Sequence, residues 1–239
     1  MNIKEEIMNK ILIMIISDNN LESVNRAILE VENMGTADLL IIDEASRYNI
    51  IEEIAENKSV KCIVHDIYQG YGSSLNEAFN YAENFGYDFL ITAECGSKKF
   101  RDNVSAIEQN LKYGYDIVTC SRILENYNYT KIGSDILEIL ETIAAALNES
   151  TGLDITDPLS PDKGYNIRNM ENINLTDEGQ GALLQIFIQG AHFGYSVFEI
   201  PSEDDLLLDA QTFDCDDPLE VFLALIETEK FLFNRGSIN

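Results

Sequence analysis

No aliphatic run in this 239-residue chain is longer than the six residues Ile11–Ile16. Crossing a bilayer takes about 20 consecutive apolar residues, so no transmembrane segment is expected. Lys4 is followed by Glu5 and Glu6 rather than by an apolar stretch, which argues against a secretory leader and for a cytoplasmic protein. Basic residues are scarce, 16 against 42 acidic ones, for a formal net charge of −26. That balance excludes non-specific binding to nucleic acid or to an anionic bilayer, both of which need a basic surface. The four cysteines, Cys62, Cys95, Cys120 and Cys215, form no CxxC pair and fit reduced thiols. His65 and His192 are the only histidines, too few to build a zinc site without cysteine pairs.

Three nucleotide and hydrolase motifs are also missing. The turn after the first apolar run is Ser17-Asp18-Asn19-Asn20, with none of the glycines of a dinucleotide-binding turn. There is no Gly-Lys-Ser/Thr of a P-loop and no GxSxG nucleophile elbow.

What is present is an alternation of hydrophobic periods. Short apolar runs at Ile11–Ile16, Leu39–Asp43, Val60–His65, Phe89–Thr92 and Asp116–Cys120 read as strands. Between them lie helical stripes: Leu21, Val24, Ile28, Val31 and Met34, ended by Gly35; a short one at Ile50–Glu56; Leu75, Ala78, Phe79, Ala82 and Phe85, opened by the capping-box pair Ser74 and Glu77; and Val104, Ile107 and Leu111. The pattern predicts βαβ units and an α/β fold with a mainly parallel sheet and flanking helices. In such sheets ligands bind at the carboxyl ends of the strands. Gly70-Tyr71-Gly72 before a helix is either a phosphate cradle or a structural turn. The second half predicts an amphipathic helix over Ile132–Leu147, facing the core rather than a membrane because its other face carries Asp135, Glu138, Glu141 and Glu149. A loop over Thr151–Lys163, a strand over Tyr165–Arg168, a helix over Ala182–Phe193, a strand over Ser196–Ile200 and a helix over Leu219–Phe233 follow. Residues 1–201 read as one domain. Residues 202–239 read as an acidic segment and a C-terminal helix packed on that domain.

Seven segments, in order, resemble family 2 glycosyltransferases of the GT-A fold, especially dolichyl- and polyprenyl-phosphate sugar transferases. Ser17-Asp18-Asn19-Asn20 is similar to the family's Pro-x-Tyr-Asn-Glu, and Ile41-Ile42-Asp43-Glu44-Ala45-Ser46 to Val-Val-Asp-Asp-Gly-Ser. Gly70-Tyr71-Gly72-Ser73-Ser74-Leu75-Asn76 resembles Gly-x-Gly-x-Ala-x-Asn, and Thr92-Ala93-Glu94 stands where the family has Asp-Ala-Asp. Asp116–Arg122 resembles Asp-x-Val-x-Gly-Ser-Arg. Ile155–Pro158 with Gly164-Tyr165 resembles the Asp…Gly-Phe-Arg region, and Gly194–Pro201 resembles Gly-Tyr-x-Ile-x-Glu-Val-Pro.

The resemblance implies transfer of a sugar from a GDP- or UDP-sugar to a polyprenyl-phosphate acceptor. It implies a nucleotide-sugar site at Asn19, Asp43, Glu44, Gly72, Ala93 and Arg122, an acceptor site at Lys131 and Arg168, and a divalent Mg²⁺ or Mn²⁺ held by Glu94. The chemistry is that of a departing nucleoside diphosphate, whose growing charge a hard cation with oxygen ligands neutralises. Each residue has a plainer role open to it as well. Asp43 could cap its turn, Glu94 could be an exposed turn carboxylate, Arg122 could form an internal ion pair, and Glu199 could brace the last strand.

The departures fall in the catalytic centre. Thr92 replaces the first Asp of the metal motif, Ala45 a glycine and Asn166 an arginine, and Gln185 stands where the family often has Glu. Such changes imply a catalytically impaired homologue that binds a nucleotide sugar or a protein partner as the second reading. On that view Thr92→Asp should strengthen metal-dependent nucleotide binding and Glu94→Ala should abolish it.

Overall fold

The computed structural model describes residues 9–17, 19–48, 50, 60–124, 133–202, 213 and 215–236, with side chains to residue 233. The expected short helix at Ile50–Glu56 lies, beyond Ile50, outside the described residues, as do Asp18 and Lys131.

Seven strands form one sheet: β1 (Ile11–Ser17), β2 (Ala37–Glu44), β3 (Val60–His65), β4 (Phe89–Thr92), β5 (Ile117–Ser121), β6 (Lys163–Asn166) and β7 (Val197–Pro201). Their order is β3-β2-β1-β4-β6-β5-β7. All pairings are parallel except the two made by β6, which runs against β4 and β5. Strands β4 and β5 therefore still point the same way, and the carboxyl ends of β1, β2, β3, β4, β5 and β7 share one edge.

Each face of the sheet carries its own core, sorted by the two-residue period of the strands. Ile11, Ile13, Ile15, Leu39 and Ile41 pack under α1 (Leu21–Met34) and α3 (Phe100–Tyr113). Leu12, Met14, Leu40 and Ile42 pack on the other face, under α2 (Tyr71–Asn84), α4 (Ser134–Thr151), α5 (Gly181–Phe193) and α6 (Pro218–Gly236). Cover on both faces explains why β1 is apolar at nearly every position instead of alternating.

Two expected boundaries shift. Helix α2 begins at Tyr71, with Gly70 as its N-cap, so Ser74 and Glu77 lie inside the helix and form no capping box. The strand expected over Tyr165–Arg168 is Lys163–Asn166, and a 3₁₀ turn, Ile167–Asn172, takes up the rest. Helix α4 buries Ile136, Leu140, Ile143, Ala144 and Leu147 in the core, as its stripe predicts. Among the described residues no helix is long and apolar enough to cross a membrane.

Candidate functional site

The carboxyl edge gathers Asn19, Asp43, Glu44, Ala93, Glu94 and Arg122, each at or just past the end of β1, β2, β4 or β5. Register pairs Ser17 with Asp43 and Met14 with Thr92, so β1 separates the two carboxylate-bearing ends. With strands about 4.8 Å apart, those ends are about 10 Å apart across the sheet.

The loops after β1 and β2 are laced together. Asn19, at φ 64°, accepts a hydrogen bond on Oδ1 from the Arg47 amide at 2.9 Å, and the hydroxyls of Ser17 and Ser46 lie 2.9 Å apart. Asp43 is buried and accepts the Ser46 amide on Oδ1 at 3.2 Å. Its Oδ2 accepts no hydrogen bond from the described residues. Glu44 is committed within the protein. One oxygen takes the Ser74 hydroxyl, and the other takes the Gln69 amide at 2.8 Å and lies 3.2 Å from His65 Nδ1. His65 Nε2 reaches Glu77 at 2.9 Å. Burial alone would lower the His65 pKa, but the hydrogen bonds and charges of Glu77 and Glu44 outweigh it and the net shift is upward.

Gly70 and Gly72 meet a backbone instead of a cradle for phosphate. The Gly72 and Ser73 amides both donate to the Glu178 carbonyl, at 2.7 and 3.2 Å. A Cβ on Gly72 would overlap the Asp177 carbonyl oxygen, and one on Gly70, at φ 96°, would overlap that of Glu178. The structural turn suggested by the two glycines is the arrangement observed, because only glycine admits so close a crossing.

At the end of β4, Ala93 donates its amide to the Met14 carbonyl at 3.0 Å. Thr92 is buried, and its hydroxyl lies 2.5 Å from the Pro161 carbonyl oxygen, to which it donates. Glu94 is half-buried, and its amide donates to Asp162 Oδ1 at 2.7 Å. The second Asp162 oxygen takes Asn103 Nδ2 at 2.6 Å.

Arg122 is buried and grips Asp157 through both Nε (2.6 Å) and Nη2 (2.8 Å), while its amide adds a third bond to the same carboxylate. Burial disfavours both charges, yet each raises the other's ionisation: the arginine pKa shifts up and the aspartate pKa shifts down. Glu199 accepts the Thr156 and Asp157 amides at 3.0 Å, so it braces the loop that delivers Asp157. Lys163, the first residue of β6, is fully buried with its ammonium on the Ser160 carbonyl, and desolvation pushes its pKa down to about 8.

Arg168 stands apart from all of these. The strand that would have turned it toward the cleft ends two residues earlier, and it pairs with Asp88, at the amino end of β4 and the opposite edge of the sheet. Gln185 is buried and occupied, accepting the Thr176 and Asp177 amides and donating to Glu229 at 2.6 Å.

No protein-family model matches this sequence, and none of the curated proteins does. Solved structures do. Glucosyl-3-phosphoglycerate synthase from Mycobacterium tuberculosis, in complex with Mn²⁺, uridine diphosphate and phosphoglyceric acid, is similar over 93% of this chain and 78% of its own, with a TM-score of 0.63 and 13% identity. A mycobacterial protein is similar over 94% of this chain and 74% of its own, at a TM-score of 0.60 and 12% identity. The fold is that of GT-A nucleotide-diphospho-sugar transferases. The antiparallel course of β6 within it is a feature that the sequence pattern did not reveal.

The described residues do not fit the divalent metal that the altered Asp-Ala-Asp segment suggested. They contain no group of three His, Cys, Asp or Glu side chains placed to hold an ion. Thr92 is spent on Pro161, and both Asp162 oxygens already accept hydrogen bonds. Residues missed by sequence reasoning are Asp162 and Lys163, which lay in what read as a plain loop. Their signal was weak: two charges flanked by Pro161 and Gly164, ahead of an apolar position.

Proposed function

We propose that this chain binds a GDP- or UDP-sugar along the carboxyl edge of the sheet and transfers its sugar slowly or not at all. The observation that carries this reading is the contrast between the two strand ends flanking β1. Asp43 keeps Oδ2 open for a ribose hydroxyl or base amine, whereas the β4 end, where a diphosphate would sit, offers Thr92 already closed on Pro161. A leaving diphosphate gains negative charge as the glycosidic bond breaks, and a preorganised positive partner is worth about 3 kcal/mol or more at that moment. Arg122, just past the end of β5, and Lys163, at the start of β6, are each buried and satisfied within the protein, so neither supplies that partner without repacking. Any transfer that remains is read as going to a polyprenyl phosphate. This acceptor class rests on the sequence resemblance, with Lys131 as the residue that would meet the phosphate.

The test is a thermal-shift and calorimetric titration of GDP, UDP and their sugars, in EDTA and in Mn²⁺. One of these nucleotides should raise the melting temperature equally in both conditions, since a ligand held at 100 times its Kd adds about 2.7 kcal/mol to the native state. Asp43→Asn keeps the Oδ1 acceptor for Ser46 and replaces the open oxygen, so it should remove the shift without unfolding the protein. Absence of any shift at millimolar nucleotide, or brisk transfer that requires Mn²⁺, would refute the reading.

A further inference from the structure

Of the few basic residues in this chain, three line one cavity of about 380 Å³ between the middle of α1 and the start of α3: Arg26, Lys98 and Arg101. The cavity lies just past the β4 end, with the buried Cys95, the residue after Glu94, in its wall, while Asp43, Glu44 and Arg122 do not line it. One of its cations is held in place. The Arg26 guanidinium donates to the Gly96 carbonyl at 3.2 Å, which keeps an exposed side chain over the opening. Ser97 accepts the Lys99 amide at 3.0 Å and so shapes the turn that presents Lys98.

Two carboxylates also line the cavity, Glu30 and Asp102. Asp102 is already paired with Lys99, 3.7 Å away and outside the lining. The balance within the wall is therefore Arg26, Lys98 and Arg101 against Glu30, a positive spot on a molecule of net charge −26. Three cations around one opening repel one another, and an anion relieves that repulsion. The positive end of α3 adds in the same sense. A large metabolite would be repelled by the surrounding acidic surface, but that field is screened beyond about 8 Å at physiological salt, so a compact dianion can reach the spot.

We propose that this cavity binds a phosphate dianion, either free or as the terminal group of a small phosphomonoester. Arginine forks and a lysine point charge suit the tetrahedral oxygens. This inference does not depend on nucleotide binding at the cleft.

The experiment titrates inorganic phosphate and, in a parallel arm, glucose 6-phosphate into the full chain by calorimetry at constant ionic strength. Parent protein, Lys98→Glu/Arg101→Glu and Asp43→Asn are compared. Saturable binding to the parent is expected, weakened at least about tenfold by the double charge reversal and unchanged by Asp43→Asn. Both double-variant positions are exposed, so its melting temperature without phosphate should match that of the parent, which separates lost binding from lost folding. Tighter binding of the monoester assigns the site to a phosphorylated metabolite, and equal binding assigns it to free phosphate. No saturable heat, or heat that the double variant leaves intact, overturns the proposal. Stronger binding in Asp43→Asn also overturns it, because the phosphate would then sit in the cleft beside that carboxylate.

Discussion

Single positions carry two departures whose consequences differ in sign. Ala45 holds φ 56°, a left-handed conformation that costs an L-residue about 1–2 kcal/mol. Glycine there avoids that cost but gives up about 0.5–1 kcal/mol of chain entropy. Ala45→Gly should therefore stabilise the protein by about 0.5–1 kcal/mol, seen as a higher urea midpoint at unchanged m-value. A lower midpoint would mean that the alanine methyl makes a compensating contact. Thr92 looks like the matching position for repair of a metal site, but its surroundings argue otherwise. Its hydroxyl donates to the Pro161 carbonyl and accepts from the Lys163 amide at 3.3 Å. A carboxylate at that buried position would face a carbonyl oxygen with no proton to offer. Thr92→Asp should cost about 3 kcal/mol of stability and confer no Mn²⁺ affinity. A folded Thr92→Asp protein that binds Mn²⁺ tightly by calorimetry would show that the Pro161 segment yields.

Elements meet at His65, the last residue of β3, which ties β2 to α2 through Glu44 and Glu77. Ser74 faces the same cluster through Glu44, and no other cation is paired with those two carboxylates by the described ion pairs. A histidine whose folded pKa is raised takes up protons on folding. Its contribution is complete below its ordinary value of 6.5 and disappears as pH rises through the folded value. Urea unfolding of the parent and of His65→Gln from pH 5.5 to 8.5 should show the parent's advantage shrinking with rising pH. An advantage that is constant, or that grows with pH, would show that the imidazole stays neutral when folded. The same cluster explains why Ser74 and Glu77 misled as a capping box: their spacing is right for one, but both side chains are drawn to β2 and β3 across the sheet.

Across the whole molecule, the C-terminal helix is part of the main core. Phe222 and Ile226 of α6 lie in the same buried cluster as Leu12, Leu40 and Phe187, and Glu229 meets Gln185 of α5 in the interior. Phe222→Ala should cost about 3–5 kcal/mol and lower a single cooperative transition. A separate early transition, with the sheet melting unchanged, would instead mark α6 as an independent appendage.

The α/β class and most element positions were legible in the sequence by itself, because they depend on local period and on stop residues such as Gly35 and Gly194. The strand-end location of Asp43 and Glu94 followed from the same local pattern. Which of the strand-end groups stay open was decided only in three dimensions. Arg122 meets Asp157, Thr92 meets Pro161, and the Gly72 amide meets Glu178, pairings that span 35, 69 and over a hundred residues of chain. Hydrophobic spacing reports which face a side chain presents, and carries no information about the distant donor or acceptor waiting there. The reversal of β6 belongs to the same class, since its direction is set by hydrogen bonds to β4 and β5 and leaves no trace in the four residues Lys163–Asn166.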